Sequence, residues 1–224
     1  MKKTVAVIGV GRFGLNLIES FSKNNIDVLA LDYDEERLKK ATSFTNSLIV
    51  CDSTDEKALK EAGIKDVDHV IIAFGQSDKE SISTTIITII RLKQLGVENI
   101  TVRVDDESFE DTIKLIGAKD IIYPLKIASE KLANKISSDS VIDYFNLIDD
   151  FDAYEIKLKE NFKETPIVDL NSRTNYYINI LIVKRDKKVF LPNKDTILLS
   201  NDKLIIFGRK KDINKIIRFF DSYI

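Results

Sequence analysis

The stretch TVAVIGVGRFG at residues 4–14 decides the fold of this 224-residue chain. Its apolar run TVAVI predicts a buried strand, and the amphipathic segment LNLIESFSKNN that follows predicts a helix. Gly9 lets the chain turn sharply, Gly11 leaves room for a phosphate, and Gly14 lets the helix pack close to the strand. A strand, a glycine-rich turn and a helix start in this order predict a site for the phosphates of a nucleotide.

The first 124 residues continue this alternation of strands and helices, with short connections. Near-continuous apolar runs predict strands at 4–10, 27–33, 46–51, 68–75, 99–105 and 120–123, with helices at 14–25, 35–44, 55–62, 78–95 and 108–116. Residues 1–124 therefore predict an α/β fold, a doubly wound parallel-sheet Rossmann-like domain. Its ligand is expected between the first and fourth strands, where the strand order reverses.

An acidic residue at the end of the second strand extends the candidate site. Asp32 follows Gly14 by 18 residues, the position from which a carboxylate accepts hydrogen bonds from ribose hydroxyls and repels the 2′-phosphate of NADP. Asp34 is the near alternative. Arg12 would add charge-assisted bonds to phosphate oxygens, suiting ATP at least as well as NAD, or it would simply face solvent. Phe13 belongs to the same turn and is included in the site.

The segment after the third strand is open to two interpretations. Asp52, Ser53 and Thr54 lie where a loop could close over an adenine. Alternatively, Ser53 or Thr54 serves as the N-cap of the helix predicted at 55–62. Both roles together are also compatible with the sequence.

Two residues at the ends of the fourth and fifth strands complete the predicted nucleotide site. Gly75 has no side chain and would let a ligand approach. Arg103 lies between two valines of a covered strand, so its charge needs a partner. The partner of Arg103 would be a phosphate, Asp78 or Asp105.

The sequence contains few candidate catalytic side chains. The chain has one histidine, His69, which lies at the start of a predicted strand and hence far from the carboxyl edge of the sheet. Its one cysteine, Cys51, is expected to be a small buried side chain. No second histidine or cysteine completes a metal set. A hydride-transfer enzyme usually carries a proton donor or acceptor beside the nicotinamide. The sequence therefore favours a binding protein over an enzyme.

Composition limits the partners and the compartment. A net charge of −2 and a pI of about 5.6 argue against nucleic acid. Neither a cleavable signal peptide nor an apolar run near the ~20 residues of a membrane span is expected. A lone cysteine fits a reducing cytoplasm.

Two helical segments are expected to have covered faces. The middle of helix 78–95, ISTTIITIIRL, is apolar or Thr almost all round, which predicts a subunit interface, with packing under a second domain as the alternative. The helix after Pro124 repeats apolar residues at Ala128, Leu132 and Ile136.

A second domain is predicted at residues 150–224, after crossover or linker helices at 125–149. Its apolar runs at 153–158, 176–185, 188–192 and 202–209 predict strands, and the amphipathic tail predicts a terminal helix. A small α+β domain of this kind is suited to ligand sensing or dimerisation.

These motifs resemble a known family. GVGRFG, Asp32, DSTDE at 52–56, VIIAFG and KLIGAKDIIYP together resemble the potassium-conductance regulatory (RCK, or KTN) domain. The segment from TPIVDLNSRTNYYINILIVKR to KLIIFGRKKDI resembles the C-terminal (TrkA-C) domain that follows it. The order and length are similar to the cytoplasmic regulatory subunits of Ktr-type bacterial potassium uptake systems.

The resemblance implies a function. Such subunits form homodimers that assemble into an octameric ring beneath a membrane potassium-translocating subunit, and ATP and ADP compete for the glycine-rich site. It implies that Arg12 contacts the terminal phosphate of a nucleotide in its own or the neighbouring subunit, and that helix 125–137 crosses between dimer partners. An NAD(H)-binding redox sensor and a small NAD-dependent oxidoreductase remain the alternatives.

The resemblance also implies a second ligand, cyclic di-AMP, bound by the C-terminal domain between two subunits. The matching positions are Ile167, Val168, Asn171, Arg173, Tyr177 and Pro192. Arg173 is the best candidate for a phosphate contact, although it would equally be a surface residue.

One departure from the family pattern concerns a metal. Many relatives carry a glutamate after the proline of the last strand, where it helps to hold a cation between subunits. This chain has Leu125 there, and leucine offers no oxygen, so no metal is expected. Lys126 is a candidate to replace the cation's charge.

Overall fold

The chain divides into two compact units, Met1–Lys126 and Ile127–Ile224. The computed structural model describes residues 2–75, 79–136, 141–148, 150–212, 215 and 218–220.

The first unit contains a six-stranded parallel sheet. Its strands are β1 (Thr4–Ile8), β2 (Asp27–Asp32), β3 (Ser47–Val50), β4 (His69–Ile72), β5 (Ile100–Arg103) and β6 (Asp120–Ile122). They lie in the order β3-β2-β1-β4-β5-β6, with every neighbouring pair parallel. This is the doubly wound order that the sequence predicts, and it places the reversal between β1 and β4.

Apolar side chains cover both faces of this sheet. Val5 and Val7 of β1 belong to one buried cluster, whereas Ala6 and Ile8 belong to another on the opposite face. Successive residues of a strand point to opposite faces, so a strand buried on both sides must be apolar throughout. The continuous run TVAVI follows from this requirement.

Helices connect the strands, and aspartate side chains cap the starts of two of them. They are α1 (Arg12–Lys23), α2 (Glu35–Lys39), α3 (Glu56–Glu61), α4 (Lys79–Gln94), α5 (Glu110–Leu115) and α6 (Pro124–Ile136). Asp34 caps α2 and Asp55 caps α3, each by accepting a hydrogen bond from a backbone N–H two residues later. The prediction that Ser53 or Thr54 caps this helix is therefore wrong.

The second unit contains a five-stranded antiparallel sheet. Its strands are β7 (Val141–Ile148), β8 (Phe151–Lys157), β10 (Asn179–Arg185), β11 (Lys188–Phe190) and β13 (Lys203–Arg209), in the order β11-β10-β13-β8-β7. The smaller strands β9 (Thr165–Pro166) and β12 (Ile197–Leu198) pair separately, and two short helices, α7 (Ile167–Leu170) and α8 (Ser172–Tyr176), follow β9.

Two expectations for this region need correction. Residues 141–148, assigned to the linker helices at 125–149, form β7 and pair with β8, because VIDYFNLI is rich in the β-branched and aromatic residues that favour strands. The strand predicted at 176–185 begins only at Asn179, since α8 precedes it. Most of the predicted terminal helix lies outside the described residues, although Phe219 and Phe220 are buried in the core. The domain boundaries at 124 and 150 stay predictions.

The start of α1 packs against β1 through two glycines. Gly9 has a φ of +96°, which glycine adopts without strain, and its N–H donates to the carbonyl of Leu31 at 2.8 Å. A Cβ added to Gly14 would lie 1.9 Å from the carbonyl oxygen of Gly9, whereas a Cβ at Gly11 would meet nothing within 4 Å. The turning role of Gly9 and the packing role of Gly14 are as predicted.

A buried ion pair ties three segments of the second unit together. Arg185 donates from Nε and Nη2 to the two carboxylate oxygens of Asp202, both at 2.8 Å. Asp202 also accepts from the N–H of Leu199, and Arg185 donates to the carbonyl of Ile197. The pair therefore joins the end of β10 to β12 and to the turn before β13.

We expect Gly14→Ala to destabilise the first unit by about 1–3 kcal/mol, the usual cost of forcing extra atoms into a packed site. The melting temperature without ligand, followed by circular dichroism, should fall by roughly 2–4 °C per kcal/mol. Gly11→Ala is the matched control and should change it little. Equal melting temperatures for the two variants would contradict the close approach of α1 to β1.

Asp202→Asn should destabilise the second unit by about 3 kcal/mol, the low end for breaking a buried ion pair, because Arg185 keeps part of its side chain in water. Asp27→Asn, which breaks the exposed pair between Asp27 and Lys2, is the control and should cost under about 1 kcal/mol. Urea titration of both variants measures the difference. A cost for Asp202→Asn as small as that of the control would refute the linking role.

Candidate functional site

The glycine-rich turn presents free backbone donors at the carboxyl edge of the sheet. Gly11 is the N-cap residue of α1 and has no side chain to satisfy the first-turn N–H groups. The space above it is open, because no atom lies within 4 Å of where a Cβ would stand. Arg12 is exposed at the first position of the helix, and Phe13 is partly buried. An anion would meet backbone N–H groups and a guanidinium here.

Asp32 lies beside this turn and holds it in place. Its carboxylate is only 4% exposed, accepting from the N–H of Val10 at 2.6 Å and from that of Asp34 at 3.0 Å. Each oxygen uses one of its two acceptor positions in this way, leaving the others for a ligand hydroxyl. Asp34 caps α2 instead, so Asp32 is the acid at the crevice.

Two residues near Asp32, Tyr33 and Arg37, were not predicted as part of the site. The guanidinium of Arg37 lies 4.0 Å from the Asp32 carboxylate, 3.3 Å from that of Asp34 and 5.5 Å from the centre of the Tyr33 ring. Tyr33 is largely exposed. Helical spacing after β2 is the signal that would have placed Arg37 at this edge.

The segment 52–54 is fixed against α4. Asp52 accepts hydrogen bonds from both the N–H and the hydroxyl of Thr54, forming a turn. Ser53 is buried, with its hydroxyl 2.8 Å from that of Thr88, and the carbonyl of Thr54 accepts from Nε of Arg91. Of the three predicted side chains, Ser53 is therefore committed to packing, whereas Asp52 stays exposed.

Arg103 has a protein partner. It forms a two-pronged hydrogen-bonded pair with Asp105, at 3.0 Å for each bond, and lies 5.4 Å from the centre of the Phe13 ring. Gly75 is next to this pair, since a Cβ there would come within 3.3 Å of the Asp105 carboxylate. The other candidate partner, Asp78, lies outside the described residues. The structure thus brings Phe13, Gly75 and Arg103 together.

Neither His69 nor Cys51 is placed to act as a catalytic group in this crevice. His69 begins β4 at the opposite edge of the sheet, and its Nε2 lies 2.7 Å from the Thr101 hydroxyl. Burial and then the nearby Lys3 lower the pKa of His69. Cys51 is buried, and desolvation raises its pKa to about 11, so the thiol stays protonated at neutral pH.

Apolar side chains are exposed on α4 and α6. Ile87 and Ile90 project from α4, while its buried side carries Thr85 and Thr88. On α6 the exposed residues Leu125, Leu132 and Ile136 share one stripe. Lys126 forms an ion pair with Glu107.

The second unit holds a cleft of about 300 Å³. It brings together five of the six residues predicted for a second ligand, namely Ile167, Val168, Asn171, Arg173 and Pro192. Five further lining residues escaped the sequence analysis: Ser172, Thr174, Ile180, Asn193 and Lys194.

Tyr177 is not among the residues that line the cleft. It is 63% exposed, and its ring lies 5.1 Å from the guanidinium carbon of Arg209. Its φ of +55° ends α8 and directs the chain into β10.

Across the described parts of the chain, no helix has the length and apolar character needed to cross a membrane. Within the same residues, no three His, Cys, Asp or Glu side chains are grouped as metal ligands.

Comparison with known proteins identifies both units. The TrkA-N domain family matches residues 5–124, and the TrkA-C domain family matches residues 153–221. The chain is 36% identical to the Ktr system potassium uptake protein C of Bacillus subtilis (strain 168) over 216 residues, 96% of each chain. It is 32% identical to the Ktr system potassium uptake protein A of the same organism over 214 residues, 95% of each chain.

Solved structures show the same fold in a membrane channel. The GsuK channel superposes with a TM-score of 0.65 at 14% identity, over 96% of this chain and 39% of that chain. The GsuK channel bound to NAD superposes with a TM-score of 0.64, also at 14% identity, over 100% of this chain and 39% of that one. The chain spans about two fifths of the channel's length, and the likeness is one of fold. From its two domains and its identity to the Ktr proteins, the chain belongs to the TrkA-N/TrkA-C family of potassium uptake proteins.

Proposed function

We propose that this protein is a cytoplasmic, nucleotide-gated regulatory subunit of a bacterial potassium uptake system. It would act on a membrane potassium-translocating subunit, to which it docks from the cytoplasmic side. The observation that carries this proposal is the full-length similarity to Ktr proteins, joined to an open glycine-rich turn beside Asp32. We propose that ATP or ADP binds in this turn.

The geometry supports binding more than chemistry. The turn offers backbone donors, a cation at Arg12 and free acceptor positions on Asp32, which together suit the phosphates and ribose of a nucleotide. His69 lies at the other edge of the sheet, and the Cys51 thiol is buried and protonated. We therefore propose a regulator without catalytic turnover.

Gating by ATP and ADP requires a different interaction with each nucleotide. The two differ by the terminal phosphate, so only a contact to that group can shift the protein between conformations. Arg12 is the exposed cation of the turn and is our candidate for this contact, either within its own subunit or in a neighbouring one.

The nucleotide can be identified by thermal unfolding. A ligand at about 100 times its dissociation constant stabilises the folded protein by about 2.7 kcal/mol, or several degrees. We expect ATP and ADP to raise the melting temperature more than NAD or NADH. A rise in melting temperature with NADH alone would contradict ATP gating and favour an NAD(H) redox sensor or oxidoreductase. These two are the natural alternatives because of Asp32 and because the GsuK channel, which has the same fold, has been solved with NAD bound.

Arg12→Gln should weaken ATP binding by roughly 10- to 100-fold, the worth of a hydrogen bond to a charged group, and ADP binding by less. Lys23→Gln removes the same charge from the other end of α1 and is the control. Isothermal titration of both nucleotides measures the two ratios. An equal loss for ATP and ADP would show that Arg12 does not recognise the terminal phosphate.

The cleft of the second unit is our proposed site for cyclic di-AMP. Ile167, Val168 and Pro192 supply apolar surface for an adenine, and Arg173 supplies a cation for a phosphate. Asn171, in the left-handed conformation, ends α7 and begins α8 within the same wall. Arg173 is the side chain on which this assignment depends.

We further propose that the protein forms homodimers that assemble into an octameric ring. The exposed stripe of Leu125, Leu132 and Ile136 on α6 leaves apolar surface in water, which a second copy of the helix would remove. The outward isoleucines of α4 would contribute to the same assembly.

Leu132→Asp should dissociate this assembly without unfolding the chain, because Leu132 is already 58% exposed in one subunit. Glu130→Lys changes charge on the opposite side of α6 and is the control. Light scattering after size exclusion gives the mass of each species, and circular dichroism checks the fold. A Leu132→Asp variant of unchanged mass would remove α6 from the interface.

A further inference from the structure

We propose that Lys194 is a second phosphate-binding residue of the cleft in the second unit. The cleft is lined by two cations, Arg173 on α8 and Lys194 on the loop between β11 and β12. The inference rests on the proposed function, since it assigns a further residue to the cyclic di-AMP site and names the part of the ligand that this residue contacts.

The loop that carries Lys194 is a rigid turn. The side-chain oxygen of Asn193 accepts from the N–H of Asp195 at 3.0 Å and from the hydroxyl of Thr196 at 3.1 Å. The Thr196 hydroxyl accepts in return from the N–H of Asn193, and the Thr196 N–H donates to the Asn193 carbonyl. Lys194 therefore projects from a backbone whose conformation is fixed by four hydrogen bonds.

The turn is also docked directly against the apolar wall of the cleft. The N–H of Val168 donates to the carbonyl of Lys194 at 3.1 Å, and the N–H of Ile167 donates to that of Thr196 at 2.9 Å. The stem of Lys194 thus starts beside the two residues proposed to hold an adenine. An ammonium on a flexible four-carbon stem at this place can reach a phosphate attached to that nucleoside.

A buried ion pair holds the turn from its other side. Arg185, paired with Asp202, donates to the carbonyl of Ile197, which comes directly after Thr196. Leu198 and Ile197 of β12 pair with Thr165 and Pro166 of β9, the strand that leads into Ile167. The C-terminal end of the turn is therefore fixed relative to the cleft, so less ordering of the backbone is needed when a ligand binds.

Charge is the reason to assign Lys194 to the phosphate and not to the base. Each phosphodiester carries one negative charge, and its oxygens accept hydrogen bonds from more than one donor. Arg173 offers a planar fork and Lys194 a point charge, so the two cations can satisfy different oxygens of one phosphate. The adenine base is expected to pack against the apolar residues of the cleft and does not require a second cation.

The test is cyclic di-AMP titration of four forms of the whole chain: wild type, Lys194→Gln, Lys194→Arg and Lys187→Gln. Lys187 lies in the exposed turn between β10 and β11, outside the cleft, and gives the control for the lost charge. At low salt we expect Lys194→Gln to bind about tenfold more weakly, as for a lost hydrogen bond to a charged group. Lys194→Arg should keep most of the affinity, and Lys187→Gln should match wild type.

Salt dependence separates a phosphate contact from a structural role. The difference between wild type and Lys194→Gln should shrink near 1 M salt, where the screening length falls to about 3 Å. The melting temperatures without ligand should agree, because Lys194 is exposed and only its backbone is bonded.

The outcomes distinguish this inference from the proposal beneath it. One outcome would overturn the role of Lys194 alone. In it, wild type binds cyclic di-AMP, Arg173→Gln does not, and Lys194→Gln binds as tightly as the Lys187→Gln control. A salt-independent loss in Lys194→Gln would overturn it too, by showing a change in shape. Absence of cyclic di-AMP binding to wild type would overturn both this inference and the proposed second ligand.

Discussion

The first unit depends on one buried carboxylate. Asp32 is almost wholly removed from water, and a buried charge is tolerated only when it is hydrogen-bonded. Its two backbone partners, on Val10 and Asp34, belong to the glycine-rich turn and to the start of α2. The residue expected to hold a ribose therefore first holds the turn that would hold the phosphates. This links the shape of the site to its chemistry, since any change at Asp32 acts on both.

Both candidate sites have a strong arginine–aspartate pair beside them. Arg103 and Asp105 lie next to Gly75 and Phe13 at the carboxyl edge of the sheet, while Arg185 and Asp202 fix the segment that leads from the cleft into β12. Two-pronged pairs of this kind fix orientation as well as distance. A site surrounded by such restraints is preorganised, so less binding energy goes into ordering it.

The sequence predicted the first unit better than the second, for a physical reason. Strands buried on both faces must be apolar throughout, and runs such as TVAVI therefore indicate the parallel sheet, while the alternation of strands and helices predicts its strand order. In the second unit, Asp143 and Asn146 interrupt the β-branched and aromatic residues of β7, so its strand character is weaker in the sequence and is established by its pairing with β8. Likewise, nothing local shows that Lys194 lies beside Val168, because the two meet through backbone hydrogen bonds across 26 residues. Similarly, the burial of the Ser53 side chain depends on its hydrogen bond to Thr88, which lies 35 residues farther along the chain.

Local charge placement explains how a nearly neutral protein could present the two proposed anion sites. The 34 basic and 36 acidic residues almost cancel, and many cations are paired on the surface, as Lys23 is with Glu19 and Lys39 with Glu36. Charges farther apart than about 8–10 Å hardly affect each other in physiological salt. A ligand therefore responds only to the few side chains around it, for which we propose Arg12 at the open turn and Arg173 with Lys194 at the cleft. Long nucleic acids need an extended basic surface, whereas a small phosphate ligand needs only two or three fixed donors, which a nearly neutral chain can supply locally.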